Sequence, residues 1–229
     1  LPNKLCEIQK EIKKNKIMKL KELLKQHPTE NHEKWFDEIT NELLNHNALC
    51  IGNNQYRIVE CEIYYNNKTE KHSDPFIHRK QEQLKSGTIY FHGFGVDLTF
   101  GDTEKNIHGG ILIRSVRNIE GENKYTNGQY RFAEELFSAL GEIINEEKLV
   151  SIKEFNYQNV EPSIKCERYN LSKNIENDTY RNKPYRYIIE INKENKFENR
   201  SKIITQLFKE GKLSAELVKN VLNYLPKIK

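Results

Sequence analysis

From Tyr56 to Tyr65 the chain reads Tyr-Arg-Ile-Val-Glu-Cys-Glu-Ile-Tyr-Tyr, a run of β-branched and aromatic residues that also carries two carboxylates. Such a run is a strand. Successive side chains of a strand point to opposite faces, so Glu60, Glu62 and Tyr64 share one face and Val59, Cys61, Ile63 and Tyr65 the other. The second face demands a core. A face bearing two acids ordinarily turns to water, and it becomes a site only if the rest of the chain brings it partners.

The flanking sequence supplies the remaining layers. Trp35, Phe36, Ile39, Leu43 and Leu44 fall at helical spacing and predict a core-facing helix over Glu33–Leu49. Gly52-Asn53-Asn54 is a turn that delivers the chain into the acid-bearing strand. Beyond it, Thr88–His92, Val96–Phe100 and Gly109–Val116 read as strands of a meander, with Gly93-Phe94-Gly95 at the first hairpin tip. Phe132, Leu136, Phe137, Leu140, Ile143 and Ile144 predict a helix over Tyr130–Ile144. Two short amphipathic helices are expected at Ser201–Phe208 and Ser214–Leu225, broken at Gly211 and stopped at Pro226. Residues 4–25 form an imperfect amphipathic helix whose outer face is rich in lysine, and His27-Pro28-Thr29 ends it. The expectation is an α+β domain: one curved, mainly antiparallel sheet with flanking helices and a helical C-terminal tail. Its predicted divisions are a basic helix at 1–30, the main domain at 31–190 and the tail at 191–229.

Charge and cysteine usage narrow the class. A net charge of +4 and a pI near 8.7 permit a polyanionic partner without requiring one. The cysteines at 6, 50, 61 and 166 include no Cys-x-x-Cys pair, and no His cluster has metal-ligand spacing. Neither a zinc site nor a disulfide framework is indicated, so reduced thiols and a cytoplasmic location are expected. No apolar run approaches the roughly 18 residues of a membrane span, and none resembles a secretion signal.

In order and spacing, the acid-bearing strand, His72-Ser73, Gly87-Thr88-Ile89-Tyr90-Phe91-His92 and Ile111-Leu112-Ile113-Arg114 resemble the methylpurine-DNA glycosylase family, which excises alkylated and deaminated purines from DNA. Arg168-Tyr-Asn-Leu171 and Lys183-Pro-Tyr-Arg-Tyr-Ile188 are similar to its closing segments. The resemblance covers roughly residues 35 to 190. It implies that Glu62 is the general base and that Glu60 is structural. Arg114 orients the water, and Tyr64 and His72 stack on a base flipped from the duplex. Phe94 wedges the vacated stack, and His92 stands where the family has a third stacking tyrosine. Arg79 and Lys80, in place of the family's Arg-Asn pair, are expected to meet the DNA backbone. No cofactor and no metal are implied. The chemistry fits: breaking an N-glycosidic bond develops positive charge on the sugar, which a carboxylate stabilises while it deprotonates water.

The sequence departs from the pattern at His92, in a hairpin one residue shorter, and at His78-Arg79-Lys80. An altered base preference or a retained fold without activity would each follow. Two other readings stay open: a non-catalytic nucleic-acid-binding module, and a metal-dependent nuclease built on Glu60, Glu62 and Asp97.

Overall fold

The computed structural model describes residues 20–69, 71–93, 95–139, 150–176 and 178–227. Helix α1 (His32–His46) precedes strand β1 (Asn47–Ile51) and the long strand β2 (Asn54–Asn67). After β3 (His72–Ser73) and a short 3-10 turn come β4 (Ser86–His92), β5 (Gly95–Phe100), β6 (His108–Asn118) and β7 (Tyr125–Asn127). Helix α2 (Gln129–Ala139), β8 (Val150–Glu154), β9 (Ile164–Cys166), α3 (Asp178–Arg181) and β10 (Arg186–Ile188) complete the main body. Helices α4 (Arg200–Lys209) and α5 (Ala215–Leu222) follow.

All the strands join one antiparallel sheet with the path β4-β5-β6-β2-β1-β8, and β2 is its spine. One edge of β2 runs against β6, while the other serves β1, β10 and β3 in turn. The predicted alternation holds. Val59, Cys61, Ile63 and Tyr65 pack into the main core beneath α1, whose Trp35, Phe36, Ile39, Leu43 and Leu44 are all buried. Each such side chain contributes roughly 1.5–3 kcal/mol relative to exposure.

The helix ends at His46 rather than Leu49, because Leu49 is drawn into β1 opposite Ile152 of β8 and Tyr56 of β2. A sheet partner a hundred residues downstream outweighs local helical spacing there. Most of the lysine-rich helix expected at 4–25 lies outside the described residues, but Leu20, Leu23 and Leu24 are buried in the same core. The end of the helix expected over Tyr130–Ile144, beyond Ala139, also lies outside them.

The tail packs rather than dangles. Ile204, Val218 and Val221 of α4 and α5 join Phe197 and Ile188 in a second apolar cluster, with Ile164 and Cys166 against it. The last helix stops at Leu222, three residues before the expected end, where Asn223 takes the left-handed conformation of a C-terminal cap. Among the described residues no helix is long and apolar enough to cross a membrane.

Candidate functional site

The acid face of β2 is not solvated. Glu60 is 1% exposed and Glu62 fully buried, which overturns the ordinary expectation for two acids on a strand. Buried carboxylates need compensation, and the neighbouring strands provide it. Across the sheet, Asp97 of β5, Leu112 of β6, Glu62 of β2 and Arg186 of β10 stand in register on the same face. The β2–β6 ladder shifts register on either side of Glu60. Such irregularities re-aim side chains, and here both Arg114 and its neighbour Ser115 reach Glu60.

Glu60 therefore accepts from Arg114 Nε at 2.9 Å, Arg186 Nε at 2.8 Å and the Ser115 hydroxyl. Glu62 is held differently. The Tyr64 phenol donates to its Oε2 at 2.7 Å, the Tyr169 backbone N–H donates to its Oε1 at 2.7 Å, and Arg114 Nη1 lies 3.5 Å away. Arg114 also donates to Gln129 Oε1 and to Glu198 Oε2, each at 2.6 Å. Burial alone would weaken the charge on Arg114, yet Glu62, Glu60 and Glu198 together raise its pKa above the usual value. Burial, and then the Glu62 charge, raise the Tyr64 phenol well above its usual range.

Over this cluster opens a cavity of about 1930 Å³ whose wall includes Tyr64, Arg114, Tyr169, Leu112, His92 and Asp97. The two glutamates are not in that wall; Glu62 sits directly behind Tyr64, Tyr169 and Arg114. The rim carries both signs, with Lys124, Arg131, Lys173, Lys193 and Lys196 among Glu122, Glu134, Glu135 and Glu194.

His92 and Asp97 form a second polar group in the same wall. His92 Nε2 lies 3.1 Å from Asp97 Oδ1, and Gln83 Nε2 donates to Asp97 Oδ2 at 3.0 Å. Asp97 is thus committed to His92 and Gln83, while Glu60 is engaged by two arginines. The three acids of the nuclease reading do not converge, and no group of three metal-ligating side chains occurs among the described residues.

His72 is placed elsewhere, and the expectation that it shares a base pocket with Tyr64 is corrected. Its ring is buried beside Phe36, Tyr65 and Tyr185, with Nδ1 3.1 Å from the Tyr65 carbonyl and Nε2 3.0 Å from the Tyr185 hydroxyl. It borders a separate small cavity with His32, Tyr180 and Lys183. The reason is the antiparallel pairing of Asn67 with His72, which folds β3 back along β2. Burial, and then the nearby His32, lower its pKa to about 4. Arg79 and Lys80 are exposed. Phe94 lies outside the described residues.

Sequence reasoning missed Arg186, Tyr169, Gln129 and Glu198 as members of the cluster. Arg168 of the same closing segment forms a fully buried ion pair with Asp74 and lies 4.5 Å from the Tyr64 ring centre. Arg186 and Tyr169 stood in the two segments singled out above for their resemblance to closing segments, so their polar residues were the available signal. Glu198 left none.

Fold and site together define a single α+β domain whose curled antiparallel sheet buries a carboxylate–arginine cluster beneath a large open cavity. No protein-family model matches the chain. It is similar to an uncharacterized protein of Acanthamoeba polyphaga mimivirus, 34% identical over 111 residues that cover 39% of this chain and 50% of that protein. The chain spans about half the length of the relative it matches.

Proposed function

We propose that the chain is a DNA glycosylase that hydrolyses the N-glycosidic bond of a modified base flipped from duplex DNA. The observation that carries this reading is Glu62, an acid placed behind a wall of Tyr64, Tyr169 and Arg114 at a cavity of about 1930 Å³. In this reading Tyr64 and Tyr169 offer aromatic faces to the base, and the paired acids stabilise positive charge developing on the sugar. Glu62 accepts the proton of the attacking water once a bound nucleotide displaces the Tyr64 phenol from Oε2. Arg79 and Lys80 meet the phosphate backbone, and Phe94 fills the vacated stack. The free thiols of Cys50, Cys61 and Cys166 suit a reducing, cytoplasmic setting.

A second reading, a non-catalytic nucleic-acid-binding module, is favoured by one observation: both oxygens of Glu62 already accept hydrogen bonds. The two are separated by incubating the protein with duplexes that each bear one hypoxanthine, ethenoadenine, 3-methyladenine or modified cytosine, then cleaving abasic sites with alkali. Strand scission on any of them, lost in Glu62→Gln, supports the glycosylase. Duplex binding without scission on all of them supports the module.

A further inference from the structure

Between β10 and α4 the chain passes the cavity in an irregular segment whose burial alternates: Asn195 and Phe197 are buried, Lys196 and Glu198 exposed. Lys196 and Glu198 both stand in the cavity wall. The backbone that carries them is pinned. Asn127 of β7 donates through Nδ2 to Asn195 Oδ1 at 2.7 Å and accepts from the Lys196 N–H at 3.0 Å. Phe197 packs into the second apolar cluster, and Arg186 Nη2 donates to the Glu198 carbonyl at 2.9 Å. The Glu198 carboxylate is therefore a solvent-reaching group on a fixed backbone.

That carboxylate covers one side of Arg114. Nε of Arg114 is held by Glu60 and Nη1 by Gln129, but Nη2 is held by Glu198 Oε2 at 2.6 Å. The Arg114 side chain is 3% exposed and that of Glu198 45%. Arg114 and Arg186 together meet three carboxylates, those of Glu60, Glu62 and Glu198. A further negative charge brought among them would be buried without a partner, so an anion from outside reaches Arg114 only by taking the place of one acid. Glu60 and Glu62 are 1% and 0% exposed. Glu198 is the one of the three that can leave. A phosphodiester carries the same single charge as the carboxylate, and its two free oxygens match the donors of a guanidinium. Lys196, on the same side of the segment, adds a second positive charge.

We propose that Arg114 Nη2 is a phosphate subsite for the nucleic-acid backbone beside the flipped nucleotide, and that Glu198 fills it in the free protein. The proposal rests on the reading that the cavity receives a nucleotide flipped from a duplex. No covalent bond changes. A phosphate oxygen replaces Glu198 Oε2 at Arg114, and the released carboxylate turns to water while its backbone stays on Arg186. Self-occupation lowers the apparent affinity for the duplex by the fraction of molecules in which Arg114 is free. It also favours a phosphate delivered together with other contacts over a free anion, because only the former arrives at a high effective concentration.

The test is binding to a duplex bearing one tetrahydrofuran abasic analogue, which cannot be excised, by wild type, Glu198→Ala, Glu198→Gln and Glu194→Ala. Glu194 is an acid of the same cavity wall, and its loss removes the same charge. Glu198→Ala is expected to tighten binding about 5- to 10-fold, Glu198→Gln by less, and Glu194→Ala by under about twofold. An uncharged methylphosphonate at one of the two phosphates flanking the analogue should abolish the gain from Glu198→Ala. Equal gains from Glu198→Ala and Glu194→Ala, no gain, or a gain that survives a methylphosphonate at either position would overturn the subsite. Should Glu198→Ala lose its thermal transition, Glu198→Gln, which keeps the shape, carries the same comparison. Because nothing is excised, the result is independent of base release: a subsite upheld in a protein without scission belongs to the binding module. A duplex that wild type does not bind ends both readings and the subsite with them.

Discussion

Arg186 stands directly across the β2–β10 ladder from Glu62, yet its guanidinium serves Glu60. Its Nε donates to Glu60 Oε1 at 2.8 Å and lies 3.9 Å from Glu62 Oε1. Glu60 thereby accepts from two buried arginines at once, whereas Glu62 accepts from a phenol and a backbone amide with Arg114 Nη1 3.5 Å away. The two acids of one strand face are thus held in different ways.

Replacing Glu60 with Gln removes the charge that Arg114 and Arg186 share and leaves both guanidiniums under-compensated in the interior. Breaking a buried pair from one side typically costs about 3–5 kcal/mol. Urea denaturation is expected to show a loss of that order with an unchanged slope. A midpoint within error of wild type would remove Glu60 from the scaffold.

Glu62→Gln keeps the shape: its amide oxygen can accept from the Tyr169 N–H, its NH2 can donate to the Tyr64 hydroxyl, and Arg114 keeps Glu60 and Glu198, so the variant should stay folded. Single-turnover excision should fall by about 100- to 10,000-fold, the usual worth of a general base. Affinity for the lesion duplex should hold or rise slightly, since a negative charge near phosphates is gone. Near-normal excision by this variant, with a folded but inactive Glu60→Gln, would mean that the two acids have exchanged roles.

His72 supplies a pH dependence with a definite sign. Its folded pKa, about 4, lies below the unfolded value near 6.5, so the unfolded chain binds the extra proton first. The stability contributed by neutral His72 is fully present above about pH 6.5 and is lost as pH falls towards 4, by up to about 3 kcal/mol. Denaturant midpoints at pH 7.5, 5.5 and 4.5 should fall in that order. His72→Gln should flatten the fall, and an equally steep fall in the variant would assign it to other groups.

Gly110→Ala places a methyl where the Asp97 carboxylate now sits. Overpacking of this kind typically costs about 1–3 kcal/mol, and the thermal midpoint should drop accordingly. The loss should shrink when Asp97→Ala is combined with it, because the obstructed atoms are then absent. Additive losses would show that the strain lies in the backbone instead.

The strand alternation from Tyr56 to Tyr65, the meander after Gly87 and the packing face of α1 could all be read from the sequence, because each is a local periodicity. The tail helices were legible for the same reason, to within a few residues at their ends. Strands β1, β8 and β9 were not. Leu49 becomes a strand residue only because Ile152 and Tyr56 flank it in space, a condition no local window contains. The site divides along the same line. Glu62, Tyr64 and Arg114 come together as expected, since neighbouring strands bring them within reach. Arg186 and Glu198 arrive from more than 80 residues away, and His72 is turned aside by a two-residue pairing.

Strand β2 is paired along both edges, and its two faces could hardly differ more in polarity. A slip of one residue against β6 would carry Glu60 and Glu62 into the apolar layer under α1 and bring Cys61 and Ile63 against two arginines. Misaligned sheets are therefore penalised by unpaired charge as well as by lost contacts. The cluster that equips the cavity also proofreads the alignment of the sheet while the chain folds.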